Sequence, residues 1–156
     1  MPITEFSSTI TTGKQGGLQM QCASRQFQFL LDEPLSLGGK DSAMNPVEAL
    51  LGTLGACKGI VAKSFARMHK INLNDIRIEV KGELDTDGFT GKNKEAKIGF
   101  SKITTHFFIQ ADNSEEEIAA FIAFIERTCP VFDTIKNPPI CETSYSVENH
   151  IENIEL

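Results

Sequence analysis

The sequence lacks any run of about 18 apolar residues, the length that a membrane-spanning helix requires. It also lacks a basic cluster: Lys and Arg are scattered, and the densest pair is Lys92 and Lys94 around Asn93. Acidic groups outnumber basic ones 21 to 15, for a net charge of −6. Binders of duplex nucleic acid neutralise phosphates with clustered cations, so this balance argues against that class. There is no C-x-x-C, so neither a thioredoxin-type dithiol nor a zinc ribbon is encoded locally. The opening residues, Met1 to Phe6, do not show the basic and then apolar layout of a secretory signal. The expectation is a soluble, cytoplasmic protein with neither a membrane nor nucleic acid as partner. Its four cysteines are then kept reduced, and each is a question of chemistry before scaffolding.

What is present is a globular balance, with 40% apolar and 23% charged residues in a chain of 156. That length predicts a single domain over residues 1–156, large enough to bury well over half of its unfolded surface without disulfides. Ile3 to Thr11 reads as extended, Thr12 to Gly17 as a turn, and Leu18, Met20, Cys22 and then Phe27, Phe29, Leu31 as two alternating strands. After a loop from Asp32 to Met44 the period becomes helical. Val47, Leu50, Leu51, Leu54, Val61, Phe65 and Met68 share a stripe on which Cys57 also falls. Asn45, Pro46 and Glu48 supply an N-cap, a proline at the first helical position and a capping box, and the helix is expected to run to His69 or Lys70. Gly52, Gly55 and Gly59 inside it each cost about 1 kcal/mol relative to alanine, which points to another backbone passing close by.

Two strands follow, Ile76 to Leu84 and a segment from about Ala96 to Ile109, with a change of phase near Ser101 or Lys102 that a β-bulge would produce. Ser114 caps a helix with Glu115, Glu116 and Glu117 in its first turn. Cys129-Pro130 breaks that helix, Val131 to Lys136 forms a short one, and Thr143, Tyr145 and Val147 alternate as a final strand. The order βββ-α-ββ-αα-β is an α+β pattern.

Cys57, among small residues on a helix, is open to approach, although a lone buried cysteine commonly serves as a small hydrophobe. Lys58 and Lys63 are the cations beside it, and neither is placed by the periodicity to face the sulfur. Cys129 precedes Pro130 at a helix start, where backbone N–H groups and the dipole lower a thiol pKa. Cys22 and Cys141 lack an activating context and read as structural. His69, His106 and His150 are isolated and read as solvated; no spacing supports a metal site. The Gly38-Gly39-Lys40-Asp41 run departs from the phosphate-loop pattern.

The run Asn45-Pro46-Val47-Glu48-Ala49-Leu50-Leu51-Gly52-Thr53-Leu54-Gly55-Ala56-Cys57, preceded by Gly38-Gly39 and followed far downstream by Cys129-Pro130-Val131, resembles the two cysteine motifs of OsmC/Ohr-type proteins. With the order of elements, the resemblance covers nearly the whole chain. It implies curved antiparallel sheets around two central helices in an intertwined homodimer, with strands 3–31 exchanged or packed across it. It further implies a thiol-dependent peroxidase without a cofactor, whose partners are a hydroperoxide and an external thiol or dithiol reductant. In that scheme Cys57 is the peroxidatic sulfur and Cys129 the resolving one.

Ohr-type members hold the thiolate with an arginine of the early hairpin and a glutamate ten residues before the cysteine; here those places carry Lys14 and Val47. Glu48, nine residues before, is turned to the other side of the helix and reads as a capping residue. Lys40, and less directly Arg25, are the cations that would replace the arginine. The chain therefore looks closer to the OsmC-like branches than to Ohr proper. Two other readings stay open: a thiol redox module without peroxide turnover, and a small-ligand binding protein on the same fold.

Overall fold

The computed structural model describes residues 3–147. The alternating N-terminal segments form an antiparallel sheet of β1 (Thr9–Thr12), β2 (Met20–Ser24) and β3 (Phe27–Leu31), in that spatial order. Residues 3–8 lie outside any strand, so the extended start is shorter than the β-rich composition suggests. The register sets Ile10 opposite Cys22 and Cys22 opposite Phe29, with Met20 opposite Leu31. Residues directly opposite share a face, so these five and Phe27 make one apolar side of the sheet. The β1–β2 turn closes through the Gly13 N–H on the Gln19 carbonyl, and the β2–β3 turn places Arg25 in the left-handed region (φ 54°).

The loop that follows is braced by one carboxylate. Asp32 is buried and accepts from the Ser42 hydroxyl at 2.7 Å and from the backbone N–H groups of Glu33, Lys40 and Ser42. The Ser42 hydroxyl and these N–H groups hold its carboxyl below the usual carboxylate range, against the opposing effect of burial. A side chain at Gly39 would bring a Cβ to 1.7 Å from the Glu33 carbonyl oxygen, so the backbone passes where only glycine fits.

Helix α1 (Pro46–Phe65) starts as the sequence specifies: Asn45 Oδ1 accepts from the Glu48 N–H, and Glu48 Oε2 accepts from the Asn45 N–H. It ends earlier than its apolar period. Residues 66–70 continue as turns, closed by the Ile71 N–H on the Ala66 carbonyl with Lys70 left-handed at φ 57°. Strands β4 (Leu73–Glu83) and β5 (Lys102–Ala111) pair antiparallel, and Ile76, Ile78 and Val80 of β4 turn toward α1. Gly55 and Gly59 are where this happens most closely: a Cβ on Gly55 would sit 3.1 Å from Val80 Cγ2. The close neighbours are thus side chains of a strand, not another backbone.

The β4–β5 connection holds a single helical turn, α2 (Thr86–Phe89), and no strand between residues 96 and 100. Phe100 instead folds its ring over Gly82. The one irregularity in the ladder lies between Leu73 and Asp75, not near Ser101. Helix α3 (Glu115–Thr128), with Ser114 and Glu117 forming its capping box, and helix α4 (Pro130–Lys136) complete the structure. The core joins Leu54, Val61, Ala62 and Ala66 to Ile71, Phe121, Ile125 and Cys129. Full burial of side chains such as Leu54, Phe121 and Ile125 contributes about 1.5–3 kcal/mol each.

Residues 138–147 form no strand and pair with neither sheet, and Ile140 and Tyr145 are exposed, so the final strand expected over Thr143 to Val147 is absent. Among the described residues no helix is long and apolar enough to cross a membrane.

Asn45→Ala is expected to cost about 1 kcal/mol in urea-induced unfolding, the usual loss for removing an N-cap. Gly39→Ala is expected to cost more than Asn45→Ala, since its new methyl group meets rigid backbone. Equal, negligible effects of both would contradict the loop and cap geometry.

Candidate functional site

Cys57 lies midway along α1 and is partly exposed; Cys129 is wholly buried at the junction of α3 and α4. Both are free thiols. Cys57 is packed against the core cluster to which Cys129 belongs, and it is near enough to act on that thiol, raising the pKa of Cys129. Residues 72 positions apart in sequence therefore converge because α3 and α4 both pack on α1.

The position of Cys129 corrects one expectation. Its sulfur does cap α4, accepting from the Phe132 N–H at 3.4 Å, and that contact lowers its pKa. Burial acts more strongly in the opposite direction, and Cys57 adds to it, so the thiol is pushed above its ordinary range. Desolvation outweighs the helix start. Cys129 is thereby a protonated, sequestered thiol, while its partner retains contact with the exterior.

Beside the two sulfurs lies a cation that periodicity should have flagged. Lys58 is 1% exposed. Its Nζ donates to Glu126 Oε1 of α3 at 2.5 Å and to Thr105 Oγ1 of β5 at 2.9 Å, and sits 4.4 Å from the centre of the Phe132 ring of α4. Lys58 follows Leu54 by four residues and precedes Val61 by three, which is a core position of the same stripe. A lysine there was legible as an anomaly; its partners, on three other elements, were not.

The other candidate side chains are engaged elsewhere. Glu48 is held in the capping box. Lys40 Nζ donates to the Gln15 carbonyl at 2.6 Å and so ties the loop to the first hairpin. The Arg25 guanidinium stacks 5.0 Å from the centre of the Phe27 ring. Cys22 is buried on β2 and Cys141 is exposed. His69 is exposed yet rests on Phe124, ring centres 4.0 Å apart; His106 meets Phe108 edge to face; His150 lies outside the described residues. Among the described residues no three His, Cys, Asp or Glu side chains converge in a way that would hold a metal ion. A groove of about 570 Å³ runs between α1 and β4 past Gly52, Gly55 and Gly59, and neither Cys57 nor Cys129 lines it.

Residues 39–144 match the model of the OsmC-like protein family. The chain is 32% identical over 117 residues to a protein of Mycoplasma genitalium named hydroperoxide reductase, covering 74% of this chain and 77% of that one. A hydroperoxide reductase of Mycoplasma pneumoniae matches at the same identity, over 75% and 78%. Among solved structures, an OsmC-like protein from Mycoplasma pneumoniae superposes with a TM-score of 0.73 at 29% identity, covering 86% of this chain and 89% of that one. An organic hydroperoxide resistance protein OsmC from Legionella pneumophila shares the fold, with a TM-score of 0.65 at 20% identity over 88% and 93%. Paired thiols on α1 and at the α3–α4 junction, the element order and a family match over most of the sequence converge on one assignment: this chain belongs to the OsmC-like protein family.

Proposed function

We propose that the chain is a thiol-dependent hydroperoxide reductase that uses Cys57 and Cys129. The observation that carries this reading is the asymmetry of the pair: one sulfur partly open, the other buried against it. The names of the Mycoplasma relatives supply the reaction class. In the first step the Cys57 thiolate attacks the outer oxygen of the hydroperoxide. The O–O bond breaks, the alkoxide leaves and is protonated to the alcohol, and Cys57 becomes a sulfenic acid. In the second, the Cys129 sulfur attacks Cys57, forming the S–S bond and expelling water; an external thiol or dithiol then restores both thiols by exchange. A protonated resolving thiol suits this order, because Cys129 stays silent toward the oxidant until a sulfenic acid stands beside it. This chemistry belongs in a reducing compartment such as the cytoplasm.

A second reading is a thiol redox module without peroxide turnover. It is favoured by Glu48 and Lys40, whose contacts within the chain serve the helix cap and the hairpin loop rather than a thiolate. Reducible disulfide formation without consumption of hydroperoxide would select it.

We further propose that the working form is a homodimer, with the β1–β3 sheet packed across it. Phe27 and Phe29 are each 57% exposed and Ile10 is 53% exposed on that sheet's apolar side, and among the described residues no helix packs closely on it. On α1, Val47, Leu50 and Ile60 are also uncovered. Contiguous apolar surface of this kind marks an interface.

Two outcomes are expected. In a peroxide-consumption assay Cys57→Ser falls to the uncatalysed background, whereas Cys129→Ser completes one turnover and accumulates sulfinic acid at Cys57, read by intact mass; full activity in Cys57→Ser contradicts the assignment. In sedimentation velocity at micromolar concentration the protein runs as a dimer, and Phe27→Asp with Phe29→Asp shifts it toward monomer. A folded monomer for the unmodified chain contradicts the packing proposed for the sheet.

A further inference from the structure

We propose that Lys58 is a positioning residue: its ammonium clamps the α3–α4 junction onto α1 so that the Cys129 sulfur stands in register with that of Cys57. This rests on the redox reading above and adds to it a residue that touches neither substrate nor the reacting bond.

A buried ammonium of this kind contributes little to stability. Taking the Lys58 ammonium out of water is costly, and its attraction to a Glu126 carboxylate that is still about one third exposed commonly does no more than offset that cost, so such a buried charge is often replaceable by an apolar residue at no loss. Position 58 lies on the core stripe between Leu54 and Val61, where a methionine or leucine would pack. What the lysine provides that those residues would not is direction. One of its N–H groups is spent on Glu126 and another on Thr105, and the ammonium also lies over the Phe132 ring.

The partners are placed around the resolving cysteine. Glu126 precedes Cys129 by three residues and Phe132 follows it by three, one on each side of the break that Pro130 makes. The Phe132 N–H is also the donor to the Cys129 sulfur. A single ammonium therefore holds both ends of the segment that carries Cys129, and Thr105 fixes that ammonium to the sheet. The lysine is itself the residue after Cys57, so the clamp begins one peptide from the other sulfur.

The reaction that needs this register is Cys57–SOH + HS–Cys129 → Cys57–S–S–Cys129 + H2O, and an S–S bond forms only within a narrow range of geometry. The same register governs the peroxide-free exchange in which two protein thiols and glutathione disulfide give the protein disulfide and two glutathione thiols. That exchange provides the test. The equilibrium constant for the Cys57–Cys129 bridge is measured in glutathione redox buffers for the unmodified chain, Lys58→Met and, as a control, Lys102→Met at the exposed ion pair with Glu83. Thermal melting of each reduced protein is recorded alongside.

Lys58→Met is expected to lower the constant about tenfold, because the effective concentration of one thiol at the other falls as their alignment loosens, and a 1 Å misplacement of reacting groups can cost about 100-fold in rate. Its melting temperature is expected to stay equal or rise, and Lys102→Met to match the unmodified chain. A bridge that forms as readily in Lys58→Met overturns the proposal, as does a loss that only tracks a lower melting temperature. If the single variant does not fold, Lys58→Met with Glu126→Leu removes both charges and is judged by the same two criteria. If the unmodified chain forms no such bridge, the redox reading and this inference fall together; if it does and Lys58→Met equals it, the inference alone fails.

Discussion

The structure depends on one constraint: α1 must run through the hydrophobic core while bringing a thiol and an ammonium to the place where α3 ends. Leu54, Val61 and Ala62 supply the apolar contacts that keep the helix there, and Cys57 and Lys58 interrupt them. A buried ammonium is tolerated only with its hydrogen bonds satisfied. Here a carboxylate, a hydroxyl and aromatic faces from β5, α3 and α4 satisfy it, so the cost of the charge is offset by elements that must be where they are. The same convergence buries Cys129 and raises its pKa, leaving Cys57 as the sulfur with a route to the exterior.

The sequence carried the local decisions well. Asn45, Pro46 and Glu48 wrote the start of α1 as a side-chain and backbone pattern that needs no tertiary contact, and Ser114 with Glu117 did the same for α3. Alternation in β2 and β3 named the apolar side of the first sheet. What escaped was set by contacts distant in sequence. The Cys129 thiol stands at a helix start, which argues for a low pKa, yet its environment is fixed by α1 and burial prevails. The segment from 96 to 100 has the alternation of a strand, but Phe100 is drawn over Gly82 and the ladder begins at Lys102. Thr143, Tyr145 and Val147 alternate too, yet they pair with neither sheet and form no strand.

Lys58 belongs between these cases. Its place on the stripe was readable, while the identity of Glu126, Thr105 and Phe132 as its partners required the fold. The family resemblance marks the cysteines and not the lysine next to one of them, since the arginine and glutamate of Ohr-type sites correspond to other positions, Lys14 and Val47. Uncovered Phe27 and Phe29 make a similar point at larger scale: half of the apolar side of the β1–β3 sheet is uncovered among the described residues, which is the physical basis for proposing a second copy as its partner.

The central claim is that Cys57 and Cys129 act as one two-electron unit toward a hydroperoxide. Its most direct measurement mixes fully reduced protein with one equivalent of a hydroperoxide in stopped flow, then maps the product by peptide mass spectrometry. The account predicts loss of two thiols per chain, release of one alcohol and a single Cys57–Cys129 disulfide-linked peptide. Unreacted thiols, or a disulfide that pairs Cys22 or Cys141 instead, would contradict it.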